Sequence, residues 1–254
     1  KQISEKALRY DLTVPFARFV VQNRNEITFP FKRYQMQNVW RADRPQKGRY
    51  REFFQCDADV IGTDSLFCEV ELVQLYDDVF SKLKIPNVDI CINNRKVLSG
   101  MIELMGASEL FDTVVIILDK LSTIGLDKVK EELLQKGVKP ESLLILDAFL
   151  KTKNVGDLDS LLLRSEIGKK GLGELQFVMD NIARLELGYT NLVFDITLAR
   201  GLDYYTGCIL EVKANDVQIG SIGGGGRYDN LTANFGLNDV SGAGISFGID
   251  RIYL

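Results

Sequence analysis

Four stretches of the chain concentrate groups able to handle anions. Residues 32–51 carry seven basic side chains, Lys32, Arg33, Arg41, Arg44, Lys47, Arg49 and Arg51, against one acid, Asp43. Guanidinium groups at that density suit a polyanion, because each offers a fixed charge and a planar fork of donors. A solvated basic hairpin is the alternative. The segment LARGLDYYTG (198–207) sets Arg200, Asp203, Tyr204 and Tyr205 at a turn between two strands. Arg200 can bind a carboxylate or a phosphate, and the tyrosines offer an aromatic wall with hydroxyls. Adjacent strand residues face opposite ways, so only one of the two tyrosines is expected to line a pocket. The other reading is a core aromatic with a satisfied hydroxyl. In GISFGIDRIYL (244–254) a strand runs into a helix with Arg251 in its early turn. The helix dipole disfavours a cation there unless an anion lies beside it; a surface arginine is the alternative. Finally, nine of the 22 glycines fall between Gly220 and Gly248, four of them consecutive at Gly223 to Gly226. Such a run suits a strand that a ligand must approach closely, or else a bulged strand at a tight packing contact. It matches neither the P-loop nor the dinucleotide fingerprint.

The chain contains no histidine among its 254 residues. That excludes Ser-His-Asp hydrolysis, Cys-His proteolysis, zincin sites and facial-triad iron. Cys56, Cys68, Cys91 and Cys208 show no C-x-x-C spacing, so structural zinc is excluded too, and they read as buried or free thiols in a reducing compartment. Chemistry is left to carboxylates, Arg, Lys, Tyr, backbone N–H groups or a hard cation held by oxygens. A composition of 46% hydrophobic and 26% charged residues is that of a globular protein, and a net charge of −4 rules out a general nucleic-acid sponge. No apolar run reaches the ~18 residues of a membrane span. The charged, polar start from Lys1 to Tyr10 is not a signal peptide, so a cytoplasmic location is expected.

The elements that must position these groups follow from periodicity. Phe31–Asp43 and Tyr50–Ile61 read as strands around a hairpin loop containing Pro45 and Gly48. In the second, Phe54, Cys56, Ala58 and Val60 face one way, and Phe53, Gln55, Asp57 and Asp59 the other. One aromatic and three polar groups on a face suit the floor of a polar site. Residues 66–83 predict a helix with Leu72, Leu75, Val79 and Leu83 as its apolar stripe, Tyr76 and Phe80 beside them, and Ser65 as N-cap. A short strand ends at Asn93-Asn94. From Arg95 to Leu187 the pattern is helical, with turns at Gly106, Gly125, Gly137–Pro140 and Gly171–Gly173, and long enough for a small core of its own. Strands return at Leu192–Leu198, Cys208–Val212, Val217–Ile222 and Ala243–Phe247. Short turns between strands imply antiparallel pairing, so the expected class is α+β, an antiparallel β-sheet flanked by helices with a helical insertion. The boundaries are residues 1–97 and 191–254 for the sheet domain and 98–190 for the insertion.

The motifs occur in the order LRYDLT, VWRADRPQKGRYREFFQCDADVIG, LARGLDYYTG, GGGGRYD and GISFGIDR. Together they resemble the catalytic domain of histidyl-tRNA synthetases, a class II aminoacyl-tRNA synthetase family. WRADRPQKGRYREF looks like class II motif 2 and GISFGIDR like motif 3, while ARGLDYYTG narrows the resemblance to the histidyl branch. It covers both β portions; the helical block fits the family's insertion without sharp motifs. The resemblance implies that histidine and ATP form histidyl-adenylate and that histidine then passes to tRNA(His). It implies Arg41, Arg200 and Arg251 as the catalytic charges: Arg41 on the α-phosphate, Arg251 on the γ-phosphate, and Arg200 on the α-phosphate and the substrate carboxylate. Arg49 would reach the γ-phosphate and Phe53 would stack on adenine, with Asp43 of motif 2 also at the ATP site. Asp11, Thr13 and Gln55 match positions that hold the α-amino group, and Asp59 and Tyr205, with Tyr204 beside them, those around the imidazole. Magnesium would bridge the outer phosphates of ATP, with no metal site made by the protein itself.

This sequence departs from the family pattern in places. Arg41-Ala42-Asp43 stands where Arg-x-Glu is usual, Asp59 where Glu is usual, and Phe54 where His or Tyr is common. No charge is lost by these changes. The family's motif 1 would precede LRYDLT and its anticodon-binding domain would follow Leu254, so the resemblance implies a catalytic fragment, weakly active and poorly dimeric alone, of a homodimer. The motif 2 loop, Arg44 to Gly48, is expected to be held only by its ligand. Two relatives of the fold compete with this reading: a regulatory subunit of ATP phosphoribosyltransferase and an RNA-sensing module of a kinase. Both typically erode the arginines that are intact here.

Overall fold

The computed structural model describes residues 5–199 and 204–254. In chain order its main elements are α1 (Thr13–Gln22), β1 (Phe31–Trp40), β2 (Glu52–Ile61), α2 (Phe67–Leu83), β3 (Val88–Asn94), α3 (Arg95–Leu104), α4 (Phe111–Leu118), α5 (Leu121–Ile124), α6 (Leu126–Gln135), α7 (Leu143–Leu150), α8 (Leu158–Leu162), α9 (Glu166–Leu185), β4 (Asn191–Phe194), β5 (Cys208–Ala214), β6 (Ser221–Tyr228), β7 (Gly242–Gly248) and α10 (Ile249–Tyr253). The seven strands form one sheet in the order β1-β2-β7-β6-β5-β3-β4.

All neighbouring strands pair antiparallel except β3 and β4, which are parallel at the far edge. The expected antiparallel sheet is present, with one parallel pair added at its edge. Short turns force reversal, but the helical block from α3 to α9 intervenes between β3 and β4 and lets the chain re-enter in the same direction. β4 is also shorter than its alternation suggests. Asp195 Oδ1 accepts from the Thr197 N–H at 3.0 Å and from its hydroxyl at 2.6 Å, a local turn that competes with the ladder.

β6 lies later than expected, over the glycine run itself rather than 217–222. A Cβ on Gly225 would stand 2.3 Å from the Gly244 carbonyl oxygen, and one on Gly226 would stand 2.5 Å from that of Cys208. Close backbone approach, not strand propensity, sets these residues. α2 buries Leu72, Val73, Tyr76 and Phe80, whereas Leu83 is half exposed. Its buried face also takes in Glu69, paired with Arg227 of β6, and that acid disguised the stripe. Leu66, not Ser65, is the N-cap; Ser65 lies one position before it, its Oγ accepting from the Phe67 N–H at 3.4 Å.

Gly106, Gly125 and Gly137 end helices with positive φ, as expected. Gly171 to Gly173 instead lie inside α9. A Cβ on Gly171 would meet the backbone nitrogen of Val97 at 2.7 Å, so the glycine marks the close crossing of α9 over α3. Buried apolar residues of the helical block, such as Leu133 and Leu175, and of the sheet, such as Ile90 and Val212, belong to one continuous cluster. Among the described residues no helix is long and apolar enough to cross a membrane.

Candidate active site

β2, β6 and β7 form the floor of a cleft of about 400 Å³, walled by the start of α1, the β1–β2 loop, Tyr204–Tyr205 and α10. The alternation in β2 turns Phe53, Gln55, Asp57 and Asp59 into it, as the open-face reading requires. Opposite them the glycine run leaves Gly224 partly open on the floor. At the open end of β2 Phe54 borders the cleft as well, its N–H donating to Asp250 Oδ2 at 3.2 Å.

One end is basic. Arg41, Arg49 and Arg251 line it, with Asp43 and Phe53. The Arg41 guanidinium lies 5.0 Å from the Phe53 ring centroid, and its Nε donates to the Tyr10 carbonyl at 3.1 Å. Arg49 Nε stands 3.0 Å from Asp43 Oδ2, and that contact holds the Asp43 carboxyl below its usual range. Residues 46–49 close into a tight turn by backbone bonds between Gln46 and Arg49, with Gly48 at φ +70°. Arg251 Nε donates to the Gly48 carbonyl and its Nη1 to that of Ser221, both at 2.7 Å. The loop is therefore held by Arg251 as well as by any ligand, which corrects the expectation that a ligand alone holds it.

The other end is acidic and buried. Asp59 is 3% exposed; its Oδ1 accepts from the Tyr228 hydroxyl at 2.7 Å and its Oδ2 lies 3.0 Å from Arg33 Nη2. Burial pushes its pKa up to about 7, with Asp57 adding to the rise and Arg33 offsetting part of it. Gly244 must be glycine here, because a Cβ would stand 2.0 Å from Asp59 Oδ1. Asp57 Oδ2 accepts from Gln55 Nε2 at 3.1 Å and from the Thr13 hydroxyl at 3.4 Å. Asp11 Oδ1 accepts from the Val14 N–H at 3.3 Å, at the start of α1. Burial raises the carboxyls of Asp57 and Asp11 as well. Asp11 Oδ2, Gln55 Oε1 and Asp57 Oδ1 are buried with no hydrogen-bond donor. Orphaned acceptors of this kind are costly unless a ligand supplies donors.

Tyr204 and Tyr205 both line the cleft, with ring centroids 4.7 Å apart at 65°. The expectation that only one would do so assumed an extended strand; both residues precede β5 in irregular backbone, so strand alternation does not apply. Burial raises both phenols, that of Tyr204 to about 12, and keeps them as neutral donors. Thr13, Arg41, Asp43, Arg49, Phe53, Gln55, Asp59, Tyr204, Tyr205 and Arg251 thus share one cleft, with Asp11 buried beside it. Arg200 and Asp203 lie outside the described residues.

Arg33 belongs to no polyanion site: it ion-pairs with Asp59, donates to the Leu12 carbonyl at 3.0 Å and lies over the Phe16 ring. Lys32 likewise pairs with Glu71 at the surface. Three supporting residues had no individual signal in the sequence. Tyr228 reaches Asp59 from β6, and the buried Glu69–Arg227 pair joins α2 to β6 beneath the cleft. Asp57, placed on the polar face of β2 by alternation but given no role there, lines the cleft with Gln55 and Asp59.

A family model described as Histidyl-tRNA synthetase matches residues 4–252. A histidine–tRNA ligase of Flavobacterium johnsoniae is 58% identical over 259 residues, an alignment covering all of this chain and 54% of that protein. Thus the chain spans about half the length of the curated relatives it matches. The crystal structure of histidyl-tRNA synthetase from Nostoc sp. PCC 7120 superposes with a TM-score of 0.87 at 34% identity, covering 97% of this chain and 59% of that one. A Bacillus halodurans structure described as an ATP phosphoribosyltransferase regulatory subunit/histidyl-tRNA synthetase shares the fold, with a TM-score of 0.79 at 21% identity over 96% of this chain and 64% of its own.

Proposed function

The chain belongs to the histidyl-tRNA synthetase family, and from that premise we propose that its cleft activates histidine with ATP and that the full-length protein then charges tRNA(His). The observation that carries this reading is the polarity of the cleft. Buried acceptors without donors at one end call for a ligand rich in N–H groups, as an α-ammonium and an imidazole are. Arginines at the other end suit phosphates. Histidine's carboxylate then lies between the two ends. It attacks the α-phosphorus, a carboxyl–phosphate bond forms, the bond to the β-phosphate breaks and pyrophosphate leaves. The nucleophile is already ionised at neutral pH, so no general base is needed and a chain without histidine can do this chemistry. The work is alignment of two anions and neutralisation of charge.

In this assignment Arg41 and Arg200 act at the α-phosphate, Arg49 and Arg251 at the γ-phosphate, and Phe53 under adenine, with Asp43 orienting Arg49. Asp11, Thr13 and Gln55 hold the α-ammonium; Asp59, Tyr204 and Tyr205 surround the ring. A ligand without ring nitrogens would leave buried groups unpaired and be rejected. Among the described residues no three or more His, Cys, Asp or Glu side chains are arranged so that they could hold a metal ion. By family membership magnesium is assigned to the nucleotide, as part of the ATP substrate. Residues 98–190 are assigned as the family's insertion domain and 1–97 with 191–254 as the catalytic domain. Homodimerisation of the full-length protein has support in the edge strand β1, where Tyr34 and Met36 are exposed. Four free, buried cysteines fit a cytoplasmic setting. The test is histidine-dependent ATP–pyrophosphate exchange by the full-length protein. Exchange is expected with histidine and with no other amino acid; its absence with intact ATP binding would favour a regulatory role.

A further inference from the structure

The acidic end of the cleft holds more negative charge than one ammonium can answer. Asp11, Asp57 and Asp59 meet there, each at most 4% exposed. Arg33 of β1, 3.0 Å from Asp59, is the nearby guanidinium among the described residues. Arg41 also acts on Asp11, though from the phosphate end. Among the described residues, the other ionisable groups facing the three carboxylates are the phenols of Tyr204, Tyr205, Tyr228 of β6 and Tyr76 of α2 and the thiol of Cys56 of β2, all held neutral by burial. Ser246 of β7 faces Asp57 across the strand pair as a neutral donor. With Arg33 set against Asp59, Asp11 and Asp57 remain. An α-ammonium answers one of them. Asp57 is the surplus: Gln55, Thr13 and Ser246 offer it neutral donors only, and its buried Oδ1 has no partner within hydrogen-bond distance.

We propose that Asp57 sets the charge state of the bound amino acid, so that the cleft takes histidine as its imidazolium, cationic at both the α-ammonium and the ring. The proposal rests on the histidine reading of this site and specifies the form of the ligand. A free imidazole has a pKa of about 6.5 and is mostly neutral in weakly alkaline solution. On binding, its bare ring nitrogen takes one proton from the buffer, and no other bond changes. Burial raises the empty carboxyls of Asp57 and Asp11 and pushes that of Asp59 up to about 7, so Asp59 itself holds part of a proton near neutrality before histidine binds. Uptake should therefore be fullest near pH 8, where the Asp59 carboxyl has ionised.

The experiment is titration calorimetry of histidine into the full-length protein at about pH 8, in two buffers of different ionisation enthalpy. Nitrogen-15 spectra of ring-labelled histidine in the complex accompany it. Uptake of close to one proton per histidine is expected, with both ring nitrogens protonated. Asp57→Asn, which keeps the shape and removes the charge, is expected to abolish most of the uptake and weaken binding about tenfold or more, a change of one pKa unit. Histidine binding without uptake, with one bare ring nitrogen, would overturn the proposal and leave the histidine reading standing. So would an Asn variant that binds histidine with the full proton uptake. No histidine binding at all would overturn both.

Discussion

Arg200 illustrates how a residue's chemistry can be legible where its placement is not. It lies outside the described residues, and its role rests on ARGLDYYTG and on the charge that develops at the α-phosphorus. Replacing it with Ala is expected to cut adenylate formation by about a hundredfold or more, the scale for losing one preorganised donor. Lys should not restore the rate, since it keeps the charge and loses the fork. Near-normal pyrophosphate exchange by Arg200→Ala would remove Arg200 from the mechanism. Asp59 yields a pH prediction. Its carboxyl titrates near 3.8 unperturbed and about 7 in the fold. Between those values the native state holds a proton that the unfolded chain has lost, so stability falls as pH rises through this window. Asp11, Asp57 and Glu69 shift in the same direction. Urea midpoints of the unliganded chain should be lower at pH 7 than at pH 5, and Asp59→Asn should flatten the difference. An unchanged slope in that variant would locate the effect elsewhere. The polar face of β2 was readable because a period of two is local. The partners of Asp59, namely Arg33 and Tyr228, were not, because they arrive from positions 26 residues before it and 169 after it.

Elements follow the same division between local pattern and distant contact. β1, β2 and β3 could be read from alternation and turn residues, and the glycine-marked helix ends from positive φ. β6 could not, since four glycines have low strand propensity and are selected by backbones that the sequence places far away. The β1–β2 loop shows the same effect in a functional part. Its length and charge suggested a segment waiting for ATP, yet Arg251 reaches the Gly48 carbonyl across 203 positions. Arg251 thereby ties α10 to the loop that carries Arg49. Arg251→Ala is expected to speed amide exchange and proteolysis at residues 44–49 without ATP, as well as to slow adenylate formation. Unaltered exchange in this loop would show that its own turn, closed by Gln46 and Arg49, suffices to order it.

At the scale of the whole molecule, the order of sheet, helical block and sheet was legible, whereas the coupling between them was not. The block has an amphipathic pattern of its own, which suggested a separate core. In the structure α9 crosses α3 where Gly100, Gly168 and Gly171 remove side chains from the contact, and α3 follows directly on β3. The resulting apolar cluster runs continuously from the helices into the sheet. A shared core makes unfolding cooperative, because neither part keeps its apolar face covered when the other opens. Two probes can report on the parts separately. Trp40, the single tryptophan, ends β1 at the edge of the sheet far from the block. Ellipticity at about 222 nm reports mainly on helices, most of which lie between Arg95 and Leu185. Urea transitions followed by the two signals are expected to coincide. Gly171→Val, which forces a side chain against the Val97 backbone, should shift both midpoints together by about 2 kcal/mol of stability or more, the cost of overpacking. A variant in which ellipticity falls at lower urea while Trp40 keeps its wild-type midpoint would show the helical block to be an independent unit, joined to the sheet by contact but not by cooperativity.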